Sequence, residues 1–175
     1  MPRPARLLAA ALVGVGALLI GVGIWRSTVH DVGASSTRAL DRAVADATPA
    51  KRPFRGLTAT TVAVGAQTMP VVVADDAEER SVGLRRRSDV GPYDGMVFAF
   101  DAPTGTGFTM STVPVALDIG FYDSSGRVVD RLRMEPCAGS EAECPVYRAS
   151  GRFVYALETL ADKLPRGRLR GYSRG

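Results

Sequence analysis

Hydrophobic and polar positions divide the chain into three stretches. From Leu7 to Trp25 nineteen residues pass without a charge. As a helix rising about 1.5 Å per residue, that run approaches the roughly 30 Å hydrocarbon thickness of a bilayer and predicts one transmembrane anchor over residues 7–25. Arg3 and Arg6 precede it and Trp25 closes it. The positive-inside rule then puts residues 1–6 in the cytoplasm and everything after the anchor outside, with Arg26 the one residue that argues the other way. A cleaved signal peptide ending at Val32-Gly33-Ala34 is the competing reading and would make the protein secreted, but its apolar region would be long and its cut distant. Residues 26–56 are rich in Ala, Ser, Thr, Asp and Arg and read as an extracytoplasmic linker. Leu40 and Val44 mark a short helix within it, with too narrow a stripe to require a partner.

Residues 57–175 alternate differently. Leu57 to Val64 and Met69 to Ala74 are rich in Thr and Val around Gly65-Ala66-Gln67, the pattern of a hairpin. Asp75 or Asp76 caps a helix, with Glu79 three residues after Asp76 in the manner of a capping box; the helix runs from Ala77 to about Arg86 and is weakened by Gly83. Met96 to Phe100 is a strongly apolar strand. In Leu117-Asp118-Ile119-Gly120-Phe121-Tyr122 the apolar residues recur at period two, and Asp123-Ser124-Ser125-Gly126 is a turn leading to a strand over Arg127 to Met134. Phe153 to Glu158 reads as a late strand, Thr159 to Leu164 as a helical turn and Gly167 to Tyr172 as a closing strand. The sum is a mainly β (α+β) domain, a compact β-sandwich or partly open barrel with one helix.

Composition narrows the function classes. The 22 basic residues less Arg3 and Arg6, set against 18 acidic ones, leave a balance of +2 outside the anchor, which is no nucleic-acid footprint. The single histidine, His30, falls beside the predicted membrane rather than in the domain. There is no Gly-x-Ser-x-Gly elbow and no Gly-rich phosphate loop after a strand, and Asp123-Ser124-Ser125-Gly126 lacks the further acids of a calcium loop. No metal site and no cofactor is expected. Cys137 and Cys144 are too few for a zinc site, and outside the membrane they predict a disulfide whose short loop contributes about 2.5 kcal/mol on a chain-entropy basis.

Arg80, Arg87, Asp118 and Glu158 are the candidate polar cluster, because each charge is flanked by apolar residues on an element expected to face the core. Paired, they would hold the helix onto the sheet. Lining a shallow cleft, they would bind an anionic or sugar-like ligand. Asp118 and Glu158 as an acid/base pair would make a glycoside hydrolase, but nothing else in the sequence completes a catalytic set, so no catalytic residue is assigned.

The chain resembles the domain of unknown function 192 (DUF192) family. Glu79, Arg80, Gly83, Leu84 and Arg87 match its first block, and Gly95, Met96, Phe98 and Phe100 its second. Phe108, Met110, Leu117, Asp118, Ile119 and Phe121 match the third, and Leu157 with Glu158 the last. Arg85, Thr109, Ser111, Thr112 and Ala116 stand where the family pattern has Met, Trp, Lys, Asn and Pro. The resemblance implies a compact β-rich domain, often exported, with no established activity. The expectation is therefore a binding or accessory module at the cell envelope, held to the membrane by its N-terminal helix. The alternatives are a carboxylate-based hydrolase of envelope polymers, or a structural partner of another membrane protein.

Overall fold

The computed structural model describes residues 39–171. The predicted anchor over 7–25, its flanking residues 1–6 and the first part of the linker lie outside them. Among the described residues no helix is long and apolar enough to cross a membrane.

The fold is mainly β. A helical segment, α1 (39–45), is followed by β1 (Thr48–Pro49), β2 (Thr58–Val64), β3 (Gln67–Ala74), the helix α2 (Ala77–Val82) and β4 (Gly95–Thr104). Then come β5 (Phe108–Thr109), β6 (Leu117–Tyr122), β7 (Val128–Met134), β8 (Val146–Tyr147), β9 (Phe153–Leu160) and β10 (Leu169–Gly171). An eight-stranded sheet runs β1-β2-β3-β4-β9-β6-β7 with β10 beside β2, while β5 and β8 pair separately. Only β3 and β4 are parallel within the large sheet, because α2 carries the chain across between them.

Both faces of the sheet are buried. Val62, Val64, Val71, Val73, Val97, Tyr122 and Leu157 pack on one face, and Val72, Met96, Phe98, Ile119, Phe121 and Ala156 on the other. The sheet curls around the first set until the Leu169 N–H donates to the Gly126 carbonyl at 2.9 Å, joining the β6–β7 turn to β10. Arg131 donates to the carbonyls of Leu164 (2.7 Å) and Pro165 along the same seam. The barrel does not close, since β7 and β10 share no ladder.

Three sequence-based expectations change. First, the linker reading of 26–56 fails from residue 39 onward: Leu40 and Phe54 are each 1% exposed, in opposite cores, and β1 pairs with β2. The Leu40 and Val44 stripe is narrow, but the sheet supplies the apolar surface it meets. Second, α2 ends at Val82, not near Arg86. Its capping box forms, with the Glu79 N–H donating to Asp76 Oδ1 at 2.8 Å, but Gly83 takes φ 48° and turns the chain out of the helix. Third, Thr159 continues β9 instead of starting a helical turn, because it pairs with Gly95 on one side and Asp118 on the other. The Asp123–Gly126 turn forms where predicted, and Asp123 Oδ1 accepts from the backbone N–H groups of Ser125 (2.8 Å) and Arg127 (3.0 Å).

Burial of Leu40 by α1 gives a direct measurement. Leu40→Ala is expected to lower unfolding stability by about 2–4 kcal/mol in urea titration, the cost of emptying a core site. A change near zero would return residues 39–45 to the role of a tether.

Candidate functional site

Strand β9 lies at the centre of the sheet, hydrogen-bonded to β4 and β6. Along it Ala156, Glu158 and Leu160 point to the face that carries α2, as period two requires. Glu158 stands beside Met96 of β4 and Ile119 of β6, both fully buried, and is itself 5% exposed. No hydrogen-bond donor and no cation among the described residues holds its carboxyl group. Burial alone pushes the Glu158 acid up to about 8, so at neutral pH it carries its proton.

Glu158 lies at the floor of a cleft of about 360 Å³ between α2, β4 and β5. Phe98, Phe100 and Phe108 supply its aromatic lining. Phe98 and Phe108 meet edge to face at 5.2 Å, and Phe108 continues to Phe121 at 5.7 Å, so this wall is the exposed limit of the core and moves only with it. The main chain comes close as well. A side chain on Gly95 would collide with the Glu158 carbonyl oxygen, which is why the smallest residue opens β4 there.

Two arginines reach the cleft. Arg80, in the last turn of α2, lies over the Phe100 ring at 4.9 Å and donates through Nη1 to the carbonyls of Ala99 (2.8 Å) and Asp75. Arg85 at the rim pairs with Glu141. Glu141 is brought there by the Cys137–Cys144 disulfide loop, and the predicted bridge is present with Cα atoms 5.9 Å apart. Ser111 Oγ donates to Gly139 O at 2.8 Å and Thr112 N to Cys137 O at 2.8 Å, stitching that loop to the segment after β5.

The four candidate residues do not form one cluster. Arg80 and Glu158 share the cleft. Arg87 lies elsewhere, with its guanidinium 4.2 Å over the Phe54 ring. Asp118 is on β6 between Leu117 and Ile119, so it points to the opposite face from Glu158, where it accepts from Arg133 Nη1 (3.1 Å) and Asp162 N (2.7 Å). The acid/base pairing of Asp118 with Glu158 is thereby excluded: one sheet stands between the two carboxyl groups. Glu141 is not singled out by the sequence, and the three Phe rings and Arg85 enter its reading through their match to, or departure from, the family pattern. Arg85 and Thr109, two of the five departures from the family pattern, both line the cleft.

A larger hollow of about 620 Å³ beside α1 includes Asp41 and Tyr155, but the Tyr155 hydroxyl already donates to Asp41. Glu158 is the buried ionisable group left without a partner at a cavity wall among the described residues.

The fold is that of a mainly β domain with an acid-bearing cleft between α2, β4 and β5. The DUF192 family model, described as an uncharacterized ACR, matches residues 59–170, and the chain belongs to this family. A protein of unknown function from Novosphingobium aromaticivorans has a similar fold, with a TM-score of 0.56 and 23% identity over 73% of this chain and 96% of that one. A Sinorhizobium meliloti protein provisionally described as a transcription regulator is similar at a TM-score of 0.51, with 24% identity over 63% of this chain and 90% of that one. No match is found among curated proteins.

The buried acid sets a pH dependence. Its folded value of about 8 lies above the ordinary 4.5, so the folded state holds a proton that the unfolded chain releases between those two values. The stability contribution is complete below 4.5 and is lost as pH rises toward 8. Glu158→Gln is expected to flatten that part of the stability–pH curve in chemical denaturation. Equal slopes in the two proteins would show that the carboxyl is hydrated.

Proposed function

We propose that this protein is a membrane-tethered, extracytoplasmic binding module whose cleft over Glu158 receives a small ligand at the cell envelope. The observation that carries the binding role is the unpartnered Glu158 carboxyl at the floor of an aromatic-walled cleft. A desolvated carboxyl with no partner among the described residues is free to hydrogen-bond whatever enters the cleft. A cleft of about 360 Å³ is within the size range of small-molecule sites, and its mixture of apolar walls with a few polar groups is the usual composition of such sites.

The uncharged run from Leu7 to Trp25 and the charges before it support the tether and its direction. The Cys137–Cys144 bridge fits an oxidising compartment on the outer side of the membrane. The same anchor leaves the domain close to the bilayer surface, where an accessory module would meet ligands released from the envelope.

Two measurements test the reading. Alkaline phosphatase fused after Gly175 is expected to be active and green fluorescent protein at the same place dark; the reverse pair would put the domain in the cytosol. A small-molecule screen by thermal shift on the full chain in detergent is expected to yield compounds that stabilise the wild type and lose their effect in Thr109→Trp, whose indole fills the cleft. Hits that stabilise both proteins equally would place binding elsewhere.

A further inference from the structure

Two ionisable groups of the cleft have no partner of opposite charge among the described residues. Arg85 is neutralised by Glu141 at the rim. Glu158 has no partner among the described residues, and Arg80 pairs with no carboxylate among them. The Arg80 side chain is oriented but not saturated. Its Nη1 is held by the carbonyls of Asp75 and Ala99, whereas Nε and Nη2 have no acceptor among the described residues. A guanidinium has five N–H donors in a fixed plane, so three remain for something else.

Arg80 and Glu158 line the same cleft and do not pair with each other. Arg80 comes from the last turn of α2 and is seated on Phe100, and Glu158 comes from the middle of β9. The rings of Phe98, Phe100 and Phe108 line the wall common to both. The cleft therefore presents an acid on its floor, a partly used cation on the helix side and apolar rings along the wall.

We propose that the cleft binds a small zwitterion, whose ammonium group lies against the Glu158 carboxylate and whose carboxylate takes the free N–H edge of Arg80. This rests on the reading of the cleft as a ligand site. An anion without the amine would meet Glu158 only as its neutral acid and gain no charge pairing there, and a simple amine would leave Arg80 unmatched. A molecule with both ends satisfies the two groups at once, and its carbon chain lies on aromatic surface where the ammonium also meets ring faces. Binding changes the protonation of the site: the neutral Glu158 acid gives its proton to water and the resulting carboxylate pairs with the incoming ammonium, so charge and protons balance.

The test is isothermal titration calorimetry of the full chain in detergent with a series of amino acids. Glycine, 4-aminobutanoate, 6-aminohexanoate, leucine and phenylalanine are the two-ended probes, and butylamine and pentanoate the one-ended controls. At least one two-ended probe is expected to bind tenfold or more tighter than either control, the step given by about 1.4 kcal/mol. The length that binds best reports the spacing of the two charged groups. At pH 7, below the Glu158 value of about 8, binding should release close to one proton, read from buffers of different ionisation heat. Glu158→Gln should weaken binding at least tenfold and abolish the proton release, and Arg80→Gln should bring the two-ended probe down to the affinity of butylamine. Circular dichroism confirms that each variant is folded, and Thr109→Trp, with both charges intact, should block every probe if either variant is not.

Butylamine binding as tightly as the zwitterions would overturn the inference. So would a neutral probe, methyl glucoside, that binds in a Glu158-dependent manner without proton release, though the ligand-binding cleft would then stand. No binding by any amino acid up to about 10 mM would also overturn it, leaving the binding module to be decided by the thermal-shift screen.

Discussion

Strand β9 is hydrogen-bonded on both edges and covered on both faces, and this double enclosure determines much of the remaining structure. A strand in that position has little wet surface on which to place a polar residue, so from Phe153 to Leu157 the one polar group is the Tyr155 hydroxyl, which donates to Asp41. Glu158 breaks the run. Its backbone must stay in the ladder opposite Met96 and Ile119, and its side chain must leave the sheet on the face where α2 sits. The cleft opens beside α2, and the turn at Gly83 carries Leu84 and Arg85 along its wall.

The cleft walls depend on parts of the chain far apart in sequence. Phe98 and Phe100 come from a central strand and Phe108 from the small β5–β8 pair, and the Arg85–Glu141 contact joins the end of α2 to the disulfide loop. Each part is fixed by its own local chemistry: alternation for the strand, a capping box for the helix, and two side-chain and backbone hydrogen bonds for the loop. The site is a meeting point of these elements, with none devoted to it alone. Fixing the walls by core packing gives a cavity whose shape is set before any ligand arrives, which reduces the ordering cost of binding.

What the sequence made legible follows from how local each signal is. The Asp76 and Glu79 capping box, the Asp123–Gly126 turn, the alternating β6 and the Cys137–Cys144 bridge are decided by residues within a few positions of one another, and they were readable. The faces of Asp118 and Glu158 were not, because both sit in apolar strands and only the register between β6 and β9 shows that they look in opposite directions. The packing of α1 was hidden for a related reason. Leu40 and Val44 make a weak stripe, and its significance depends on the concave sheet surface formed by residues more than twenty positions away. The local composition of Thr159 to Leu164 allows a turn, but two neighbouring strands hold Thr159 and Leu160 in β9, so the turn starts only at Ala161. In the site, Arg80 and Glu158 were found as charges among apolar neighbours, while Arg85 and Glu141 carried no local mark that they would meet.

The link between Gly126 and Leu169, with Arg131 reaching the carbonyls of Leu164 and Pro165, has a consequence for behaviour at high local concentration. A long open sheet offers two rows of unpaired backbone groups to which another chain can add itself. Here the far side of β2 is covered by two short strands, and the β6–β7 turn is tied to one of them, so less unsatisfied main chain is left for a neighbour to extend. Where copies of a protein meet often, a sheet whose edge is covered in this manner resists growing into fibrils.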